Sequence, residues 1–192
     1  LVTLCVLAGL AIIVFFWVKG IYNNFVTLDE SVNTAWSQVE NQYQRRADLI
    51  PNLVATVKGY AAHEKETLEA VIAARAKATQ TTIDPSNLTA EQLQAYQAAQ
   101  GEVSSALSRL LVTVEQYPDV KANENFKDLQ AQLEGTENRI ATERNRFNDV
   151  AKSYNMAIRS FPANLLAGMF GFEKRPYFEA EAGAEKAPTV EF

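Results

Sequence analysis

Cysteine and histidine are almost missing from this chain: its 192 residues hold one of each, Cys5 and His63. A disulfide within the chain is therefore excluded, and no His/Cys set exists to hold a transition metal. A zinc-protease helix would need a second histidine four residues after His63, but that position is Thr67. Glycine and proline are also scarce, at eight and six, which argues for helices over a strand-and-turn architecture. Positive charge is not in excess. A net charge of −5 removes the electrostatic footprint of a nucleic-acid binder. No nucleophile elbow, phosphate loop or dinucleotide fingerprint occurs. The serines of the 101–108 stretch have no base but His63 to serve them, and no Glu-x-x-His pair is present for a di-metal cluster. These absences lead to the expectation of no catalysis, no cofactor and no metal site, with His63 as a surface or partner-helix contact.

What is present begins with an uncharged run, residues 1–18, opening on Leu1 and closing on Val18. At 1.5 Å per residue it reaches roughly 27 Å, close to the thickness of a hydrocarbon core. A signal peptide is the competing reading, but its apolar region is shorter and ends in small residues. Here the run ends in Phe15, Phe16, Trp17 and then Lys19, an interfacial belt. We expect an uncleaved transmembrane anchor over residues 1–19, contacting the lipid bilayer. The bulky Leu4 before Cys5 argues against a lipoprotein site. Lys19 stands alone until Arg45, so the positive-inside rule leaves the side of the membrane open.

Four segments of helical period follow, giving an all-α class. The first carries Phe25, Leu28, Val32, Ala35, Val39, Gln42, Arg46 and Leu49 in steps of three and four, one face of a helix. Pro51 restrains Ile50 away from helical geometry and suits the start of a new helix. "QRRADLIPNLV" therefore reads as a corner, with helices expected over 20–48 and 51–79. Thr89 with Gln92 forms a capping box, and Leu88 with Leu93 a hydrophobic staple. A third helix is expected over 89–117, ended by Pro118, and a fourth over 120–161, stopped by Pro162. Short connections favour antiparallel neighbours, hence an up-down four-helix bundle over 20–162; a continuous coiled coil is the alternative. One difficulty follows. The fourth helix exceeds the first beyond the membrane by roughly 18 Å at 1.5 Å per residue, and Lys152, Asn155 and Arg159 make burying that excess in lipid costly.

In this geometry the corner at Arg45, Arg46 and Asp48 meets Asp119 and Glu124 at the end far from the membrane, a candidate interaction corner. Counting from that end sets Glu143 level with Arg75, and Arg46 level with Asp119 and Glu124. Each is a candidate pair that would fix register; the alternative is seam drift onto an exposed flank. Residues 163–178 carry Leu165, Leu166, Met169, Phe170 and Phe172, followed by Lys174 and Arg175. This composition suits an interfacial segment on anionic lipid, or packing under the bundle or onto a neighbouring subunit. Residues 179–192 read as a flexible tail.

The anchor, then "YNNFVTLDESVNTAWSQVENQYQRRADLIPNLVATVKGYAAHEKETLEAVIAAR", "YPDVKANENFKDLQAQLEGTENRIATERNRFNDVAKSYNMAIRSFP" and "GFEKRPYFE", closely resembles the bacterial LemA family over nearly the whole chain. The resemblance implies a single-pass bacterial membrane protein with an up-down four-helix bundle. It implies no catalytic activity, cofactor or binding residue. The expected function is a membrane-anchored interaction or scaffold protein of the inner membrane, forming a homo-oligomer. A regulator of a membrane enzyme, such as a quality-control protease, is the alternative; it would need a membrane protein partner at the distal corner.

Overall fold

The computed structural model describes residues 2–179. Among them there are six α-helices, one short 3-10 turn and no strand. The tail expected over 179–192 lies, apart from Glu179, outside the described residues.

Helix α1 runs without a break from Val2 to Tyr60, 59 residues. Its apolar first segment is wholly exposed, and from Phe25 onward one stripe of it is buried. The corner expected at Ile50 and Pro51 does not form. Proline removes the hydrogen bond to the carbonyl four residues before it and normally kinks or ends a helix. Here the orphaned carbonyl belongs to Ala47, and Arg75 Nε donates to it at 2.7 Å. The apolar stripe also continues past the proline as Ile50, Leu53, Val54 and Val57, all buried. A replacement donor and continued burial together hold the helix. The chain turns at residues 61–64 instead, which places His63 in an exposed turn rather than on a helix.

Helix α2 (Lys65–Gln80) returns along α1. A 3-10 turn at Pro85–Asn87 leads to α3 (Ala90–Val114). Both halves of the capping box between Thr89 and Gln92 are present, and Leu88 and Leu93 are buried in one cluster. Lys77 and Glu102 at 2.5 Å, with Glu64 and Tyr117 at 2.7 Å, set α2 and α3 antiparallel. Tyr117 leaves the helical region before Pro118. The short α4 (Pro118–Ala122) follows, and Asn123 caps α5 (Glu124–Arg159) by accepting from Phe126 N.

α5 packs along α1 in a single antiparallel register. Asn123 donates to the Tyr60 hydroxyl at 3.0 Å, Arg46 meets Glu137 at 2.8 Å, and the Trp36 and Phe147 rings lie 5.8 Å apart. Each step back along α1 is matched by an equal step forward along α5. The length mismatch expected from the sequence thus disappears, because α1 carries on past Pro51. A last helix, α6 (Ala163–Phe170), ends in Gly171, whose φ of 74° is left-handed backbone that glycine adopts without cost.

The core is two apolar clusters. One gathers Phe25, Val32, Trp36, Tyr96, Phe147, Tyr154 and Phe178 toward the end that carries the apolar run. The other gathers Ile50, Leu53, Val57, Val71, Leu110, Phe126 and Leu133 toward the far end.

Candidate functional site

Between the two clusters lies a polar layer built on Arg46, 1% exposed. Its Nη1 donates to Ser104 Oγ at 2.7 Å and to Glu137 Oε1 at 2.8 Å. Its Nη2 donates to the Gln100 carbonyl at 2.9 Å and to Gln100 Oε1 at 2.7 Å. All four Nη hydrogens are therefore engaged, and the guanidinium also lies 5.1 Å from the Tyr43 ring centroid. A buried arginine is tolerable only when its desolvation is offset in this way. Burial pushes the nearby Tyr96 phenol well above its ordinary range, with Tyr43 and Glu40 adding to the shift. A cavity of about 140 Å³ opens beside Arg46, Tyr96 and Arg75, roomy enough for water. The layer is a network of mutually engaged polar groups suited to fixing helix register.

A second polar assembly pins residues 172–179, which have no regular secondary structure, against the helices. Asn155, on α5, accepts from Arg175 N and donates to Arg175 O, both at 2.8 Å. Two turns earlier Asn148 does the same for Phe178, at 2.8 Å and 3.0 Å. One amide thus satisfies both backbone groups of a residue that has no strand partner. The Arg175 side chain, 7% exposed, donates to Asp29 Oδ1 at 2.7 Å and to the Pro85 carbonyl. It thereby ties α1, the 3-10 turn and the C-terminal segment together. Phe178 stacks on Trp36 at 5.9 Å and meets Phe147 edge-on at 5.4 Å. Burial, and then Asp29, raise the Tyr154 phenol, while Arg175 pulls it back.

The five residues expected at a distal corner are not brought together. Arg46 is buried in the polar layer, whereas Arg45 and Asp48 are exposed beside it. Asp48 accepts from Gln44 at 2.8 Å. Asp119 and Glu124 are exposed near the Tyr60–Asn123 contact, fourteen residues along α1 from Arg46, or about 21 Å. Arg46 pairs with Glu137, not with Asp119 or Glu124. Glu143 does not pair with Arg75: it lies 3.9 Å from Arg146, and Arg75 serves Ala47. The apolar group on and after α6 divides. Leu166 is buried, and Phe172 packs edge-on against Phe25 at 5.2 Å. Leu165, Met169 and Phe170 are exposed.

Sequence reasoning missed Glu137, Gln100 and Ser104 as partners of Arg46, and the whole Asp29–Asn148–Asn155–Arg175 set. The available signal was Asn148 and Asn155, seven residues apart on one side of a helix otherwise apolar there.

The model of the LemA family matches residues 35–192. The magnetosome protein MamQ 2 of Paramagnetospirillum magneticum is 32% identical over 186 residues, covering 88% of this chain and 68% of that protein. The magnetosome protein MamQ of Magnetospirillum gryphiswaldense is also 32% identical, with the same coverage. Protein LemA of Metamycoplasma hominis is 23% identical over 168 residues, covering 88% of this chain and 73% of that protein. The chain belongs to the LemA family.

Proposed function

We propose that this is a non-enzymatic scaffold of the bacterial cell envelope, anchored in the inner membrane by a single pass. Its four long helices form an up-down antiparallel bundle that assembles as a homo-oligomer. The observation carrying this reading is the continuity of α1. One helix is bare apolar surface as far as Trp17 and buried core from Phe25 onward, so anchor and core share one rigid element. Arg46 and Arg175, the two buried cations among the described residues, are engaged by internal acceptors, which suits fold maintenance. Relatives carry the name magnetosome protein, which names a structure and no reaction.

Self-association is assigned to the open groove between α2 and α3, about 810 Å³ in volume. Ala70, Ala73 and Gly101 line it, and such small side chains let another helix approach closely. Its edges carry both signs, Glu66 and Glu102 with Lys77 and Arg109, a pattern that suits packing against its own copy about a two-fold axis. The test is the mass of the full chain in detergent, paired with crosslinking of an Ala73→Cys, Cys5→Ser variant in membranes. A multiple of 21.3 kDa and a crosslinked dimer are expected. A strictly monomeric particle without a crosslink overturns the oligomeric scaffold. A membrane enzyme recovered with it in fixed proportion would favour a regulator instead.

A further inference from the structure

We infer that α6 is a second membrane contact: a short helix lying in the headgroup layer of the bilayer that holds the anchor. The inference rests on the anchor reading above. α6, "ANLLAGMF", has eight residues and no charge. Leu166 and Ala167 are buried against the anchor-end cluster, with Val18 and Ile21 packed on that cluster. The opposite side is bare. Leu165 is 61% exposed and Met169 77%, one turn apart, and Phe161 just before the helix is 83% exposed. Soluble surfaces rarely leave large side chains bare in such a group, and those that do mark interaction sites.

Position selects lipid as the occupant. The Phe170 and Phe172 rings meet Tyr22 edge-on, at 5.0 Å and 5.7 Å. Tyr22 is five residues beyond Trp17, the last aromatic of the apolar run, which is about 7.5 Å along the helix axis. A polar headgroup layer is roughly 5–8 Å thick on each side of the hydrocarbon, and interfacial helices sink their apolar face to about that depth. The exposed cations Arg159 and Lys174 flank α6 in the chain and suit an anionic surface. α6 is therefore tied to α1 just beyond the apolar run and sits at the height where lipid headgroups begin.

The full chain in phosphatidylcholine–phosphatidylglycerol vesicles tests this, with an environment-sensitive fluorophore on a single cysteine. Three placements are compared: native Cys5 in the anchor, and Met169→Cys or Gln116→Cys in a Cys5→Ser background. We expect blue-shifted emission at position 169, quenched most by lipid spin-labelled near the headgroup. Position 116 should stay unshifted and unquenched. A water-like spectrum at 169 overturns the inference, as does a blue shift without lipid quenching, which would mean cover by another subunit. Loss of lipid quenching at Cys5 overturns the anchor reading itself, so the two failures are distinguishable.

Discussion

Arg75 Nε donates 2.7 Å to the carbonyl of Ala47, the one carbonyl that Pro51 leaves without its helical partner. An arginine on the returning helix thus substitutes for an amide that proline does not have. Without it, a half-buried carbonyl in the middle of α1 would have no protein donor. An unmet buried acceptor costs about 1–3 kcal/mol. Arg75→Ala should destabilise the protein by about that amount in denaturant unfolding. Adding Pro51→Ala should recover most of the loss, because the new amide reaches Ala47 itself. Additive effects of the two substitutions would sink this account.

Arg46 and Glu137 should respond unequally to removal, though they form one ion pair. Glu137 is 42% exposed and Arg46 2% by side chain. Glu137→Gln keeps an acceptor at the water-accessible rim and should cost at most about 1 kcal/mol. Arg46→Met leaves the Gln100 and Ser104 acceptors without their donor and, at about 1–3 kcal/mol for each unmet buried acceptor, should cost about 3 kcal/mol or more. Equal losses in matched unfolding curves would overturn the unequal roles given to the two partners.

Release of the C-terminal segment is predicted for Asn155→Ala, and more weakly for Asn148→Ala. Asn155 is buried and holds both backbone groups of Arg175. Trypsin should then cut after Lys174 well before it cuts elsewhere. Hydrogen exchange at Arg175 and Phe178 should rise while α1 and α5 stay protected. Unchanged protection at Arg175 in Asn155→Ala would count against the clamp.

Alkaline pH should destabilise the fold through Tyr96. Its phenol is raised in the folded state by burial, so between the unfolded value near 10 and the folded one the native state binds more protons. The contribution is fully present below about pH 10 and is lost as pH rises, by up to about 1.4 kcal/mol per pH unit for one phenol. Tyr154 shifts in the same direction. Tyr96→Phe should therefore flatten the fall in melting temperature between about pH 10 and 11, without abolishing it. An unaltered slope would remove Tyr96 from the account.

Much of the helical outline was legible because amphipathic stripes and caps are local signals. Thr89 with Gln92, and Tyr117 before Pro118, needed only their neighbours. Pro51 was misleading for the same reason. Its local preference is to break a helix, and the group that overrides it comes from Arg75, twenty-four residues on. Once the turn moves from position 50 to positions 61–64, the partner opposite every α1 residue moves too. That is why Arg46 faces Glu137 and not Asp119. The C-terminal clamp was hidden for another reason. Asparagine reads as cap, surface or turn, and only the docked backbone of residues 175 and 178 gives Asn155 and Asn148 their role.

The unbroken α1 has a mechanical consequence. Some 40 residues of it, about 60 Å, stand beyond Trp17 as one stiff rod. A change of about 10° in anchor tilt would sweep the turn at residues 61–64 through about 10 Å, and rotation of the anchor would turn the far end with it. Proline at position 51 is where such a rod would be expected to flex, and Arg75 stiffens it there. On the anchor reading proposed above, the molecule is a lever whose fulcrum is the membrane surface.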